Sequence, residues 1–249
     1  MDLGLRDTVV LVTGASRGLG AAIAVALAAE GANVVAVARS KDGLAEVAAR
    51  GDGRITTLEA DLRDEAAVAG LADEAVARHG RLDGLVNNAG IAPAGAFADQ
   101  DPAVWRETLA VNVLAPMLLA QSAGRHMIAA GGGRILNVAS TTGVRGKPRL
   151  VAYSTSKGAV VRMTEALAAE WARHNVQVNC LAPGAFRTDA QHAVLASPEL
   201  LARRIAKIPA GRIAEPAELV PLACLLVSPL STFTTGAVFV VDGGESGKL

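Results

Sequence analysis

Short apolar runs rich in β-branched residues alternate along the chain with longer Ala- and Leu-rich stretches of helical period. Such runs are typical of strands buried on both faces, and the longer stretches have the length of crossover helices. The pattern predicts seven strands, at 8–12, 33–38, 54–59, 84–87, 134–139, 176–181 and 237–241, and helices that include 18–30, 65–79, 102–130 and 152–174. We therefore expect an α/β fold, doubly wound, with a parallel seven-stranded sheet and helices on both faces.

The pattern continues from end to end, so 1–249 is predicted to be a single domain. No linker rich in Pro, Gly or Ser divides it. The segment 184–212 is the exception, because it is irregular and long for a connection. We expect a functional loop there that contributes to substrate binding.

Composition excludes several classes of partner. The 24 basic and 24 acidic side chains balance, and the chain has few aromatic residues, so no nucleic acid is expected. Apolar runs fall short of the roughly 20 residues of a membrane span, and the first residues do not resemble a signal peptide, which predicts a cytoplasmic protein without a membrane partner. Cys180 and Cys224 are expected to be reduced and buried, and the four histidines share no ligand spacing, so no metal site is predicted.

A glycine-rich segment, Thr13-Gly14-Ala15-Ser16-Arg17-Gly18-Leu19-Gly20, stands between the first strand and an Ala-rich helix. Glycines at such a junction let the backbone approach a pyrophosphate, and the helix N-terminus directs free N–H groups at the anion. This context favours a dinucleotide site of the Rossmann type over a glycine turn that only packs tightly.

The second predicted strand ends without the acid that usually binds the ribose 2′-hydroxyl of NAD. Ala38 stands at that position and Arg39 follows it. An arginine pairs with a 2′-phosphate, and Arg17 adds a second cation. NADP(H) is therefore preferred over NAD(H), although both arginines could instead be solvated.

Several motifs occur in the order typical of the short-chain dehydrogenase/reductase family, which the sequence resembles over essentially its full length. The segment 13–20 is similar to the family's T-G-x-x-x-G-x-G loop, and 87–90 to its N-N-A-G. Asp61-Leu62 resembles its adenine-contacting pair, and 183–188 its P-G-x-x-x-T segment, which holds the nicotinamide carboxamide. The resemblance implies that the cofactor contacts Gly14, Ser16, Arg17, Gly18, Leu19, Gly20, Arg39, Asp61, Leu62, Asn88, Ala89, Gly90, Tyr153, Lys157, Pro183, Gly184, Phe186 and Thr188.

The resemblance also implies a catalytic set of Asn112, Ser140, Tyr153 and Lys157. Tyr153 is the only tyrosine, and Lys157 lies four residues on, on the same helix face. A nearby ammonium and the oxidised nicotinamide would lower the pKa of the phenol, so that Tyr153 could act as general acid or base. In the family's scheme Ser140 bonds the reacting oxygen, and Asn112 bends its helix and holds a water that leads from Lys157 to solvent. From position alone, Ser140 could also cap a turn.

The implied activity is reversible hydride transfer between NADP(H) and a ketone or secondary alcohol. The chain is similar to 3-oxoacyl-(acyl-carrier-protein) reductases and to sugar, polyol and steroid dehydrogenases. A carrier-protein reductase in this family tends to have basic residues before the fifth strand, and 127–133 has none. A non-catalytic dinucleotide sensor or scaffold is a further alternative, but such a protein would be expected to have lost Ser140, Tyr153 or Lys157.

Substrate-facing positions are expected at 93–97, 141–150 and after Gly184. Arg145, Lys147, Arg149 and Arg187 lie in or near these segments. They either bind a carboxylate or phosphate or, as the pattern favours, form a solvated basic loop. The identity and charge of the substrate, the physiological direction and the stereospecificity stay open.

Two features predict self-association, which the family resemblance also implies. The helices 102–130 and 152–174 carry more apolar residues than one sheet-facing stripe requires, and the last strand is an apolar sheet edge. We expect a homotetramer, with a dimer as second choice, and burial of Val238, Phe239 and Val240 between subunits.

Overall fold

One parallel sheet organises the protein, for which a computed structural model describes residues 2–247. The strand order is β3-β2-β1-β4-β5-β6-β7, which confirms the predicted fold class. The order reverses between β1 and β4, and such a reversal opens a crevice outside the carboxyl ends of the strands. The strands are β1 (Val9–Thr13), β2 (Asn33–Ala38), β3 (Ile55–Glu59), β4 (Gly84–Asn87), β5 (Gly133–Val138), β6 (Val176–Pro183) and β7 (Val238–Val241).

Helices cover both faces of the sheet. Along β1, Val10 and Val12 pack into the layer that contains α1, α2 and α10, whereas Val9 and Leu11 pack into the layer of α3, α5 and α7. Both layers are apolar, which explains why the strands appear in the sequence as continuous apolar runs. The helices are α1 (Gly18–Ala29), α2 (Lys41–Ala48), α3 (Glu65–His79), α4 (Pro102–Leu109), α5 (Ala115–Ala129), α6 (Thr141–Val144), α7 (Val151–Trp171), α8 (His192–Leu195), α9 (Pro198–Ile205) and α10 (Val220–Val227).

The helix predicted at 102–130 is interrupted, because a π-helical segment, Ala110–Leu114, separates α4 from α5. Within residues 2–247, Pro102–Ala129 is also the one helical stretch long and apolar enough to span a membrane. The sequence prediction overlooked it because polar residues divide its apolar runs. Leu119 and Met127 of α5 are fully buried against the sheet, so this is a core helix of the fold.

The segment 184–212 is more ordered than predicted. It contains α8 and α9, and Ser197 caps α9 by accepting a hydrogen bond from the backbone of Leu200 at 3.3 Å. The backbone N–H of Ala210 donates to the carbonyl of Gly243 at 3.0 Å, which attaches the segment to the turn after β7. The segment therefore stands over the carboxyl edge of the sheet, beside the crevice.

Candidate active site

The glycine-rich loop after β1 is held against the chain that follows β4. Thr13 Oγ1 accepts hydrogen bonds from the backbone N–H groups of Asn88 and Ala89, at 3.1 and 3.2 Å. Gly14 has a φ of +63°, and a Cβ there would lie 2.9 Å from the Ala89 Cα. A Cβ at Gly20 would overlap the carbonyl oxygen of Gly14. Only glycines fit at these two positions.

The N-terminus of α1 faces this loop and has no side-chain cap, since Arg17 at the N-cap position makes no capping hydrogen bond. The N–H groups of the first turn therefore lack a side-chain partner and can bind an anion. Gly18 lies beside Thr188, whose Cγ2 is 3.4 Å from the position of an added Cβ. The predicted phosphate loop and the predicted nicotinamide-holding segment thus lie next to each other, which fits a dinucleotide between them.

The 183–188 segment follows the end of β6. The Gly184 N–H donates to the carbonyl of Val241 at 2.9 Å, and a Cβ on Gly184 would lie 2.6 Å from the Cβ of Asp242. Phe186 is buried. Because Gly184 has no Cβ, the segment can pack closely against the end of β7. This packing determines the position of Thr188.

Cationic side chains surround the end of β2. Arg39 is exposed, and its side chain makes no hydrogen bond or ion pair in the described part of the chain. Asp61 bonds the Arg63 guanidinium at 2.9 Å, and these hydrogen bonds lower the pKa of Asp61 to about 2. Arg17 lies 3.6 Å from Asp189 in an exposed ion pair. Arg39 is therefore free to bind an added phosphate, and Asp61 is ionised at neutral pH.

Ser140 follows β5 and caps α6, as one alternative predicted. Its Oγ accepts hydrogen bonds from the backbone N–H and the hydroxyl of Thr142, both at 3.1 Å. The Ser140 hydroxyl also acts on the phenol of Tyr153 and lowers its pKa. With its oxygen accepting from Thr142, the Ser140 hydroxyl is oriented to donate its proton away from the turn.

Tyr153 and Lys157 lie on one face of α7, and the Lys157 Nζ is 5.9 Å from the centre of the Tyr153 ring. Burial raises the pKa of Tyr153, and its hydrogen bond with Ser140 opposes this effect. Burial lowers the pKa of Lys157 to about 8. The Lys157 Nζ donates to the carbonyl of Val138 at 2.8 Å, and Lys157 is not among the groups that shift the pKa of Tyr153.

Asn112 lies in the π-helical segment and is buried. Its Oδ1 accepts from the Ile91 N–H and its Nδ2 donates to the Ile91 carbonyl, both at 2.9 Å. A Cβ added at Gly90 would lie 3.2 Å from Lys157 Nζ and 3.3 Å from Asn112 Oδ1. The structure thus brings Gly90, Asn112 and Lys157 together around one point.

Ser156 is a site residue that the sequence prediction missed. It is fully buried, its hydroxyl donates to the carbonyl of Tyr153 at 2.8 Å, and it accepts from Asn112 Nδ2 at 3.0 Å. One hydroxyl therefore joins the π-helical segment to the first turn of α7. Its position directly before Lys157, inside the motif that begins at Tyr153, was the available signal.

A second group lies under the site, and the sequence prediction named only Asn87 of it. Asn87 Nδ2 donates to Asn137 Oδ1 at 2.9 Å, and Asn137 Nδ2 donates to Thr164 Oγ1, also at 2.9 Å. These hydrogen bonds join β4, β5 and α7 in the protein interior. Polar residues within the apolar strands were the signal, but their partners are 27 and 50 residues away.

Comparisons with known proteins agree with this arrangement. A family model described as enoyl-(acyl carrier protein) reductase matches residues 14–246. A D-threitol dehydrogenase from Mycolicibacterium smegmatis is 40% identical and covers 99% of this chain and 96% of its own. A candidate NAD(P)-dependent gluconate 5-dehydrogenase from Beutenbergia cavernae, solved with NADP at low occupancy, is 41% identical with a TM-score of 0.94 over 100% of both chains.

A gluconate 5-dehydrogenase from Burkholderia cenocepacia, solved with NADP and tartrate, is 34% identical with a TM-score of 0.93, and covers 100% of this chain and 99% of its own. Identities of this size over the whole length exceed what a shared fold alone requires. The chain belongs to the short-chain dehydrogenase/reductase family and is an NAD(P)-dependent oxidoreductase that acts on CH–OH groups.

Proposed function

We propose that the protein is an NADP(H)-preferring dehydrogenase that interconverts a secondary alcohol and a ketone on a small polyhydroxylated substrate. The observation that carries the proposal is the arrangement of three side chains at the carboxyl edge of the sheet. Ser140 follows β5, and Lys157 Nζ lies 5.9 Å from the centre of the Tyr153 ring, one turn further along α7. The names of the relatives support the substrate class, since they include a threitol and a gluconate dehydrogenase.

The roles of the side chains follow from this geometry. When bound, the nicotinamide would supply or accept the hydride. Ser140 donates a hydrogen bond to the substrate oxygen and stabilises developing negative charge there. Tyr153 donates or accepts the hydroxyl proton. Lys157 and Asn112 meet beside Gly90, and in this proposal they return the proton from solvent to Tyr153.

NADP(H) preference rests on the unpaired guanidinium of Arg39 beside the N-terminus of α2. A 2′-phosphate would make a charge-assisted hydrogen bond with it, which a 2′-hydroxyl cannot match. Ser40 caps α2 by accepting from Gly43 N–H at 3.1 Å. Arg17 of the glycine-rich loop is a second exposed cation, in an ion pair with Asp189. NAD(H) is the second choice.

Two alternatives are less well supported. A 3-oxoacyl-(acyl-carrier-protein) reductase is not favoured, because several of the curated relatives are named as dehydrogenases of sugar alcohols or sugar acids. The segment 127–133 also has no basic residue to bind an acidic carrier. A non-catalytic sensor would not need the Ser140, Tyr153 and Lys157 set.

The test is to follow NADPH absorbance with purified protein and a panel of alditols, aldonates and the matching ketoses, with an acetoacetyl carrier-protein thioester as comparison. We expect turnover of at least one polyhydroxylated compound, with kcat/KM higher for NADP+ than for NAD+. Turnover of the thioester alone, or of no compound with either cofactor, would contradict the proposal.

We further propose that the protein is a homotetramer in the cytoplasm. Two separate apolar surfaces support this assembly. Leu114 and Met117 are 37% and 43% exposed beside the start of α5. On the other side, β7 forms the sheet edge, with Val240 40% exposed and Phe233 fully exposed nearby. A tetramer with two different kinds of interface would bury both of these apolar surfaces.

A further inference from the structure

Arg17 and Asp189 form an ion pair between two segments of the candidate cofactor site. The distance from Arg17 Nη1 to Asp189 Oδ2 is 3.6 Å, and the two side chains are 75% and 70% exposed. Arg17 lies in the glycine-rich loop, whereas Asp189 directly follows Thr188, the last residue of the 183–188 segment. The pair therefore connects the phosphate end of the site to the segment expected to hold the nicotinamide.

Each of these two side chains is the sole partner of the other among residues 2–247. Neither makes a hydrogen bond or a second ion pair there. Arg187, the nearest cation along the chain to Asp189, is engaged elsewhere, because its Nε donates to Glu215 at 2.8 Å. The direction of the Arg17 guanidinium is thus set by a single carboxylate.

Arg17 also lies where the phosphates of a dinucleotide are expected. It is the N-cap residue of α1, and its side chain makes no capping hydrogen bond. An anion held by the N–H groups of the first turn would lie next to this side chain. The following residue, Gly18, lies beside Thr188, whose Cγ2 is 3.4 Å from the position of an added Cβ. A bound phosphate and the Asp189 carboxylate would therefore approach the same guanidinium.

Of the two anions, a phosphate would form the stronger contact with Arg17. The 3.6 Å contact with Asp189 is longer than the about 2.7–2.9 Å of a charge-assisted hydrogen bond, whereas a phosphate can accept two such bonds from one guanidinium. An ion pair between two exposed side chains also contributes little, because water screens it. Arg17 would therefore leave Asp189 when a dinucleotide binds.

We propose that Asp189 competes with a phosphate group of the dinucleotide for Arg17, and thereby weakens cofactor binding. Arg17 pairs with Asp189 before binding and with the phosphate in the complex. This inference rests on the proposed function and adds to it a residue that sets cofactor affinity through another side chain. The phosphate is either the 2′-phosphate, which only NADP(H) carries, or the pyrophosphate that both cofactors share.

The competition also couples the cofactor to the segment that stands over the edge of the sheet. Asp189 begins a 3-10 turn, Asp189–Gln191, which leads into α8. When Arg17 turns to the phosphate, this turn loses its ion pair with the glycine-rich loop. Because such coupling is reciprocal, the pair that holds the turn against the loop opposes cofactor binding.

The experiment measures the dissociation constants of NADPH and NADH by fluorescence titration, which needs no turnover. The proteins are the wild type, Asp189→Asn, Arg17→Gln, the double variant and Glu199→Gln. The last of these is the matched control. It makes the same charge change in the same 184–212 segment, at an exposed acid whose partner is Arg203 at 2.9 Å.

We expect Asp189→Asn to bind cofactor roughly twofold to fivefold more tightly, which is the range for loss of an exposed ion pair. Arg17→Gln should bind it more weakly. In that background Asp189→Asn should have no further effect, because the carboxylate acts only through Arg17. Glu199→Gln should match the wild type. A gain with NADPH alone assigns the competition to the 2′-phosphate, and a gain with both cofactors assigns it to the pyrophosphate.

Unchanged or weaker binding by Asp189→Asn would overturn the inference, and so would wild-type affinity in Arg17→Gln. An equal gain in the Arg17→Gln background would also overturn it, because the carboxylate would then repel the cofactor directly. The same holds for an equal gain in Glu199→Gln, which would show that loss of any acid in this segment suffices.

The proposed cofactor preference is judged separately, from the ratio of NADPH affinity to NADH affinity in the wild type. Equal affinities would contradict that preference, whereas the comparison of Asp189→Asn with the double variant would still decide the competition. A wild type that binds neither cofactor would contradict both the proposed function and the inference.

Discussion

Lys157 Nζ donates a hydrogen bond of 2.8 Å to the backbone carbonyl of Val138, the last residue of β5. The ammonium is thereby held at the carboxyl end of the central strands, where it is almost fully buried. Burial of a charge with one carbonyl partner is unfavourable, and it lowers the pKa of Lys157 to about 8 from an ordinary value of 10.5.

Lys157→Met should therefore change how stability depends on pH in the cofactor-free protein. Between pH 8 and 10.5 the unfolded chain binds a proton at this lysine that the folded protein does not. The contribution of Lys157 to the free energy of unfolding is therefore most favourable above pH 10.5. It decreases as the pH falls to 8. Relative to Lys157→Met, the wild type should gain up to about 3 kcal/mol as pH rises across that interval.

Urea unfolding of both proteins at several pH values between 7.5 and 10.5 measures this difference. Other titrating groups are common to both proteins and cancel. A difference that stays constant with pH would show that Lys157 titrates normally.

Tyr153→Phe should lower kcat by about 10²-fold to 10⁴-fold, because it removes the one hydroxyl that can exchange the substrate proton. NADPH affinity, measured by fluorescence titration, should be nearly unchanged, since little volume is lost. Thr155→Ala, an exposed neighbour on the same helix, is the control and should keep full activity. A variant that retains more than about a tenth of the wild-type rate would exclude Tyr153 as the general acid.

Arg39→Asp should reverse the cofactor preference, because a carboxylate repels the 2′-phosphate of NADP and accepts a hydrogen bond from the 2′-hydroxyl of NAD. We expect the ratio of kcat/KM for the two cofactors to move toward NAD by at least about tenfold. Arg50→Asp makes the same charge change at an exposed position near the far end of α2 and should leave the ratio unchanged. The assignment is wrong if the wild type already prefers NAD.

Ser156→Ala should cost about 1 kcal/mol of stability, since it removes a buried hydroxyl that joins Asn112 to the carbonyl of Tyr153. A small displacement of Tyr153 would lower kcat roughly tenfold without changing KM. The split between kcat and KM distinguishes positioning from general destabilisation. Unchanged kcat at a temperature where the variant is folded would leave Ser156 with a structural role alone.

Val240→Lys should prevent β7 from packing between subunits, because a charge on an exposed edge strand opposes association. Light scattering on a sizing column should give four times 25.3 kDa for the wild type and a smaller species for the variant. Phe97→Lys places the same charge on another exposed apolar residue, away from β7, and should leave the mass unchanged. A stable, active wild-type monomer would refute the tetramer.

The sheet was predictable because its strands are buried on both faces and so appear as apolar runs, and the position of each motif followed from the strand order. Helix α2 was not predicted, since Gly43 interrupts a short stretch. It forms because Ser40 caps it and because Leu44 and Val47 are buried against the sheet. Tertiary packing here outweighs weak local propensity.

The side-chain hydrogen bonds inside the site could not be predicted from the sequence. Asn112 and Ser156 are 44 residues apart, and Lys157 reaches a carbonyl 19 residues earlier. No local pattern encodes such contacts, because the packing of α7 against β5 and the π-helical segment sets them. The motifs predicted candidate residues for the site, whereas the direction of the Lys157 ammonium required the three-dimensional structure.

The π-helical segment around Asn112 makes this part of the gene sensitive to small insertions and deletions. A π turn contains more residues than an α turn, so loss of one residue would let the helix become regular. Because the wider turn takes up the extra residue, α4 and α5 would keep nearly the same orientation relative to each other. The buried face of α5 would stay on the sheet, whereas Asn112 would leave Ile91. A change in length here would therefore alter the site before it altered the fold.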